Sequence, residues 1–122
     1  MVIERLRETL SVCKVKDYSQ VDLDAAFCFT GRTDAEKSLV CETARVPANA
    51  IAREDGWRAF SRARAAGIFS LIGVLSRMLT ALAERNIGVF VLSTYDTDYV
   101  LTREENFDRA LEALADAGYD IA

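Results

Sequence analysis

The run from Ile87 to Leu101, IGVFVLSTYDTDYVL, constrains the fold more than any other stretch. It opens apolar, as Ile87-Gly88-Val89-Phe90-Val91-Leu92, crosses a polar turn, and returns as Asp98-Tyr99-Val100-Leu101. Such a pattern fits two strands joined by a turn at a sheet edge. Ile87 to Leu92 is apolar at odd and even positions alike, so it asks for burial on both faces. The first half of the chain, or a second subunit, is expected to supply part of that cover.

Periodic helical segments flank this run. Upstream, Leu71, Leu75, Met78 and Leu82 recur at helical spacing, with Ile72 and Leu79 beside them. Ser70 is placed to cap the start, and Asn86 and Gly88 to end it. Gly73 lowers helix propensity near the first turn; close approach of a backbone or ligand would explain it, and so would simple exposure. Downstream, Thr102 followed by Glu105 reads as a capping box. Phe107, Ala110, Leu111, Leu114 and Ala117 form an apolar face, Gly118 closes the helix, and Tyr119-Asp120-Ile121 predicts a short last strand. Trp57 to Arg62 alternates with an aromatic residue on each face, which predicts a strand without fixing its inner side. Residues 57–121 therefore spell β-α-β-β-α-β, an α+β, ferredoxin-like arrangement with two helices over one side of a four-stranded antiparallel sheet.

The first half reads as strands at Leu10–Val15, Phe27–Thr30 and Lys37–Glu42, with a helical turn over Val21–Ala26. Ala48 to Glu54 fits a short helix or an ordered loop, and Gly56 is read as separating it from the next strand. Phe29-Thr30-Gly31-Arg32-Thr33-Asp34 leading into Ser38-Leu39-Val40 echoes Leu92-Ser93-Thr94-Tyr95-Asp96-Thr97-Asp98 leading into Tyr99-Val100-Leu101. Halves of about 60 residues are marginal alone, so they are expected to share a core.

Composition narrows the function classes. The chain is 51% apolar and 28% charged with net charge -4, a globular balance that gives no support to nucleic-acid binding. Arg58, Arg62 and Arg64 read as a solvated strand face. Histidine is absent, which removes Ser-His and Cys-His pairs and weakens any zinc reading. No P-loop or GxGxxG occurs. Cys13, Cys28 and Cys41 sit in apolar runs without CxxC spacing and are expected to be reduced, buried thiols. With no export signal and no membrane-length apolar run, a cytoplasmic location is expected, with no cofactor, metal or membrane partner.

At this point the chain resembles the small bacterial ACT-domain proteins of the ACT_7 family, whose ACT domains are similar to those of aspartate kinase and of the cytosolic arginine sensor for mTORC1. The matching stretches are Leu10-Ser11-Val12-Cys13-Lys14-Val15, Phe27-Cys28-Phe29-Thr30-Gly31-Arg32-Thr33-Asp34, Ser38-Leu39-Val40-Cys41-Glu42, Asp55-Gly56-Trp57-Arg58-Ala59-Phe60 and Ser93-Thr94-Tyr95-Asp96-Thr97-Asp98-Tyr99. The resemblance implies two ACT-like modules in tandem, a degenerate one over residues 1–56 and an ACT domain over residues 57–122. It also implies amino-acid binding and regulation of an enzyme. The family pattern Gly-Pro-Leu-Asp-Phe-Ser-Leu-Thr-Gly is here Ala66-Gly67-Ile68-Phe69-Ser70-Leu71-Ile72-Gly73, so Ile68 and Ile72 replace an acid and a threonine.

A free amino acid needs partners for a carboxylate and an ammonium. The helix start at Phe69, Ser70 and Gly73 suits the carboxylate. Asp96 or Asp98, with Ser93, Thr94 and Thr97, suits the ammonium, and Tyr95 can wall the pocket. The bland reading is that Ser93 to Thr97 only cap strand ends. Two acids in one turn are more often solvated or capping than metal ligands. The expectation is a non-catalytic amino-acid-binding regulatory module, with a free amino acid, a regulated enzyme or a second copy as partners. The alternative is an ACT-fold structural or interaction protein that has lost its ligand.

Overall fold

Alternating apolar runs and two helical stretches give eight strands and two α-helices among residues 2–62 and 73–122, the part that this computed structural model describes, apart from the side chain of Val74. The chain divides into two compact units, one of Glu8–Trp57 and one of Met1–Arg7 with Arg58–Ala122.

In the Glu8–Trp57 unit, β2 (Leu10–Val15), β3 (Cys28–Arg32) and β4 (Lys37–Glu42) form an antiparallel set with β4 in the middle. The first part of β5 (Ala50–Arg62) pairs with the other edge of β2. The stretch left open between helix and loop is thus strand, and Gly56 lies within it. Register runs from Leu10↔Trp57 to Val12↔Glu54, so Asp55 and Gly56 together oppose Ser11. Gly56 has φ 82, the left-handed geometry of a glycine bulge. The bulge bends the strand without ending it. It also aims Asp55 at Ser11: the buried Ser11 hydroxyl donates to Asp55 Oδ1 at 2.6 Å and lies 2.8 Å from Thr43 Oγ1. This hydrogen bond, ahead of the Arg53 partner, holds the Asp55 carboxyl below its ordinary value. Val21–Ala26 makes isolated turns, with Val21 N–H on the Tyr18 carbonyl and Ala25 N–H on that of Asp22.

In the other unit, β1 (Val2–Arg5) pairs antiparallel with β5 and parallel with β8 (Asp120–Ile121). The sheet is therefore mixed, with a strand that the sequence pattern did not mark lying between β5 and β8. β6 (Phe90–Ser93) and β7 (Asp98–Arg103) form the hairpin foreseen above, and β7 also pairs with β5. Helices α1 (Val74–Ala83) and α2 (Phe107–Asp116) bury Met78, Leu82, Ala110, Leu111 and Leu114 against Ile3, Phe60 and Val100. Both helices end the same way. Asn86 (φ 58) and Gly118 (φ 101) are left-handed, and the next N–H reaches back five residues, Ile87 to Leu82 O and Tyr119 to Leu114 O.

The helix starts differ from expectation. α1 begins at Val74 with Gly73 as its N-cap at φ 83, whereas Ser70 lies outside the described residues. Among the described residues nothing crowds the space that a Cβ on Gly73 would fill, and the left-handed backbone by itself accounts for the glycine. The capping box does not form. β7 runs on through Arg103, and a 3-10 turn, Glu104–Asn106, precedes α2. Thr102 is still in the strand, where its buried hydroxyl donates to the Arg103 carbonyl at 3.2 Å.

All three thiols are free. Cys13 and Cys41 are buried, and burial is the main cause that lifts both, Cys41 to about 11. Cys28 is only half-buried, because β3 is an edge strand. Titration of the native protein with a thiol reagent is expected to label Cys28 first, with Cys13 and Cys41 reacting at the rate of unfolding. Equal labelling rates at all three would contradict this packing.

Candidate functional site

β5 settles the face that alternation left open. Ile3, opposite Arg62, and Phe60 itself belong to the helix-covered core. Arg58, Phe60 and Arg62 share a strand parity, so the two arginines bracket Phe60 on the helix-covered side. They are not a solvated face. The Arg58 guanidinium lies 4.4 Å from the centre of the Phe107 ring, and its Nη2 donates to the Leu6 carbonyl at 3.1 Å. The Arg62 side chain is only 4% exposed. Arg64 lies outside the described residues.

Arg62 Nη2 meets Asp98 Oδ2 at 3.2 Å, and Asp98 is 18% exposed. Asp98 stands two residues before core Val100 and therefore projects on the same side of the sheet. Ser93 Oγ donates to Asp98 Oδ1 at 2.6 Å, and the buried Thr97 hydroxyl donates to the Arg62 carbonyl at 3.4 Å. Among the described residues, Arg62 Nε and Nη1 are buried without a hydrogen-bond partner. A guanidinium held so far from water has two donors left for an acceptor.

The turn itself is a four-residue loop after the Ser93↔Asp98 pair. Thr94 N–H donates to Thr97 O at 2.8 Å, and Thr97 N–H donates to Thr94 Oγ1 at 3.3 Å. The β3–β4 loop repeats this: Thr33 N–H donates to Glu36 O at 2.9 Å, and Glu36 N–H to Thr33 Oγ1 at 3.2 Å. The echo read from the sequence is a shared loop geometry. The flanking positions differ, with Arg32↔Lys37 where the second hairpin has Ser93↔Asp98.

Ser93, Thr97 and Asp98 are thus brought together with Arg62, which sequence reasoning missed. Thr94 holds the loop. Tyr95, 89% exposed, and Asp96 form its open tip. Gly73 stands at the α1 start, where its carbonyl accepts from Arg77 N–H at 3.0 Å. Phe69 and Ser70, with Ile68 and Ile72, lie outside the described residues. The described residues contain no group of three or more acids, cysteines or histidines able to hold a metal, and no helix long and apolar enough to cross a membrane.

Removing the Asp98 charge leaves a buried guanidinium uncompensated. Breaking a fully buried pair costs about 3–5 kcal/mol, and with Asp98 18% exposed Asp98→Asn is expected to cost at least about 2 kcal/mol. Asp96→Asn is expected to stay within about 0.5 kcal/mol. Denaturant midpoints of the two variants check this, and equal midpoints would show that the pair is not holding the hairpin.

A family model, ACT_7, described as an ACT domain, matches residues 52–116. Among solved structures, the chain is similar to protein Atu0741 from Agrobacterium tumefaciens, with 26% identity and TM-score 0.86 over 99% of this chain and 91% of that one. It is also similar to VC0802 from Vibrio cholerae, a protein of unknown function, with 21% identity and TM-score 0.71 over 94% and 88%. The ligand-free regulatory subunit of aspartate kinase from Thermus thermophilus matches at 12% identity and TM-score 0.59 over 95% and 94%. The last two likenesses show the fold alone.

Proposed function

The chain belongs to the ACT_7 family of ACT domains, and from that premise we propose that it is a non-catalytic regulatory module that binds a free amino acid or a close analogue beside the β6–β7 hairpin. One observation carries this reading. A buried arginine with two nitrogens that have no partner among the described residues lies against a carboxylate in a hydroxyl-lined hairpin. The two opposite charges of an amino-acid head group match that pair. Arg62 donates to the ligand carboxylate, with the α1 start after Phe69, Ser70 and Gly73 as a second donor edge. Asp98 or Asp96, with Ser93, Thr94 and Thr97, accepts from the ammonium, and Tyr95 closes over the side chain. Ile68 and Ile72 favour an uncharged side chain. The free thiols fit the reducing cytoplasm expected from the sequence. The regulated partner is an enzyme or a second copy of the chain, as the family implies.

A second reading has its own support. Asp98 is already satisfied by Ser93 and Arg62, so the hairpin stands without a ligand. On that reading the chain keeps the fold for structure or interaction alone.

Thermal shift with the proteinogenic amino acids at millimolar concentration separates the two, because a ligand selective for the folded state raises the midpoint. The proposal expects one or a few uncharged amino acids to do so. Arg62→Lys, which keeps the charge but not the fork, is expected to weaken their calorimetric binding by about tenfold or more. If no amino acid shifts the midpoint, the structural reading replaces this one.

A further inference from the structure

A cavity of about 490 Å³ lies at the opposite end of the Arg58-Phe60-Arg62 row, lined by Arg5, Leu6, Arg7, Arg58, Phe107, Asp108 and Ala122. Among the described residues three arginines converge there in a chain of net charge -4, against one acidic side chain, Asp108. Such a concentration of like charge in an otherwise acidic chain is unfavourable unless something anionic offsets it.

The strand register explains how the arginines meet. Arg5 pairs with Phe60, so it lies on the helix-covered face beside Arg58. Leu6 N–H continues the pairing onto the Ala59 carbonyl at 3.0 Å, and the chain then passes Arg7. Arg58 is fixed from two directions, by the Phe107 ring under its guanidinium and by the Leu6 carbonyl on Nη2. Its Nε is buried without a partner among the described residues. Arg5 Nε is held by the Ala122 carbonyl at 3.1 Å. The first turn of α2 also borders the cavity through Phe107 and Asp108, where the Phe107 N–H donates to the Glu104 carbonyl.

We propose that this cavity is a second ligand site, separate from the hairpin, that takes a small multivalent oxyanion: a phosphate ester or a polycarboxylate. Fixed guanidinium forks bind such oxygens without first losing side-chain freedom. The lining is polar and the floor ring is covered by Arg58, so the site selects for charge rather than for an apolar group. The cavity holds a group larger than a lone phosphate.

Calorimetry at constant ionic strength tests this with inorganic pyrophosphate in one arm and citrate in the other. Saturable binding of either anion is expected, and the arm that binds more tightly identifies the source. The Arg5→Gln, Arg7→Gln double variant changes two exposed residues and is expected to weaken binding by about tenfold or more, with an unchanged unfolding midpoint. Two results would overturn the site: no saturation by either anion up to about 10 mM, or equal binding by the double variant. The amino-acid response at the hairpin is read separately in the same variant, so either site can fail without the other.

Discussion

A guanidinium cannot be taken out of water without a partner, and Arg62 is almost wholly out of water. That constraint organises the Arg58–Ala122 part of the chain. The partner is Asp98, two residues before Val100 in the core, and Ser93 holds Asp98 from the other strand of the hairpin. The Arg62 carbonyl is bonded in turn by Thr97. Arg62 thus holds the Thr97–Asp98 end of a four-residue turn, and Asp98 ties that end to Ser93 at the other. Without the pair, the polar loop keeps its threonine bonds and the Ser93↔Asp98 register, but a buried guanidinium is left uncompensated beneath it. Arg62 keeps two donor nitrogens without a protein partner among the described residues, and these are the donors that the proposed amino-acid site draws on.

Strong periodicity made much of this legible. The β6–β7 hairpin, the faces of both helices and the left-handed residues that end them follow from apolar spacing and from Asn and Gly at the ends. The resemblance to ACT domains rested on whole motifs, above all STYDTDY, and the family match and the similar structures bear it out. Where the pattern was short or two-sided, it failed. β1 has only two apolar residues among four, and its strand state comes from pairing with β5 and β8. Gly56 looks like a break because a bulge and a turn use the same left-handed glycine. Thr102 and Glu105 have capping-box spacing, but the strand continues past Thr102. Arg58 and Arg62 looked solvated because charge in an alternating strand usually marks the outer face. Nothing local in the sequence reports that Phe107 and Asp98 wait for them from distant elements.

The two hairpins show how one loop design serves different ends. Both hold a threonine at the first loop position, bonded at amide and hydroxyl to the fourth residue. The residues that close the loops decide the chemistry. Arg32 and Lys37 place two positive side chains at the first, whereas Ser93 and Asp98 place a hydroxyl on a carboxylate at the second. The proposed amino-acid site draws on the second pair, a hydroxyl and a carboxylate, which the first hairpin does not carry at these positions.

The most direct test of the account is a double-mutant cycle on Arg62→Met and Asp98→Ala, followed by denaturant unfolding. Each single change leaves one member of the pair without its partner, and the double change removes both. The account predicts a coupling energy of about 2 kcal/mol or more, with the double variant much more stable than the sum of the single losses implies. Additivity within about 0.5 kcal/mol would contradict it, because the pair could then not be the interaction on which the hairpin depends.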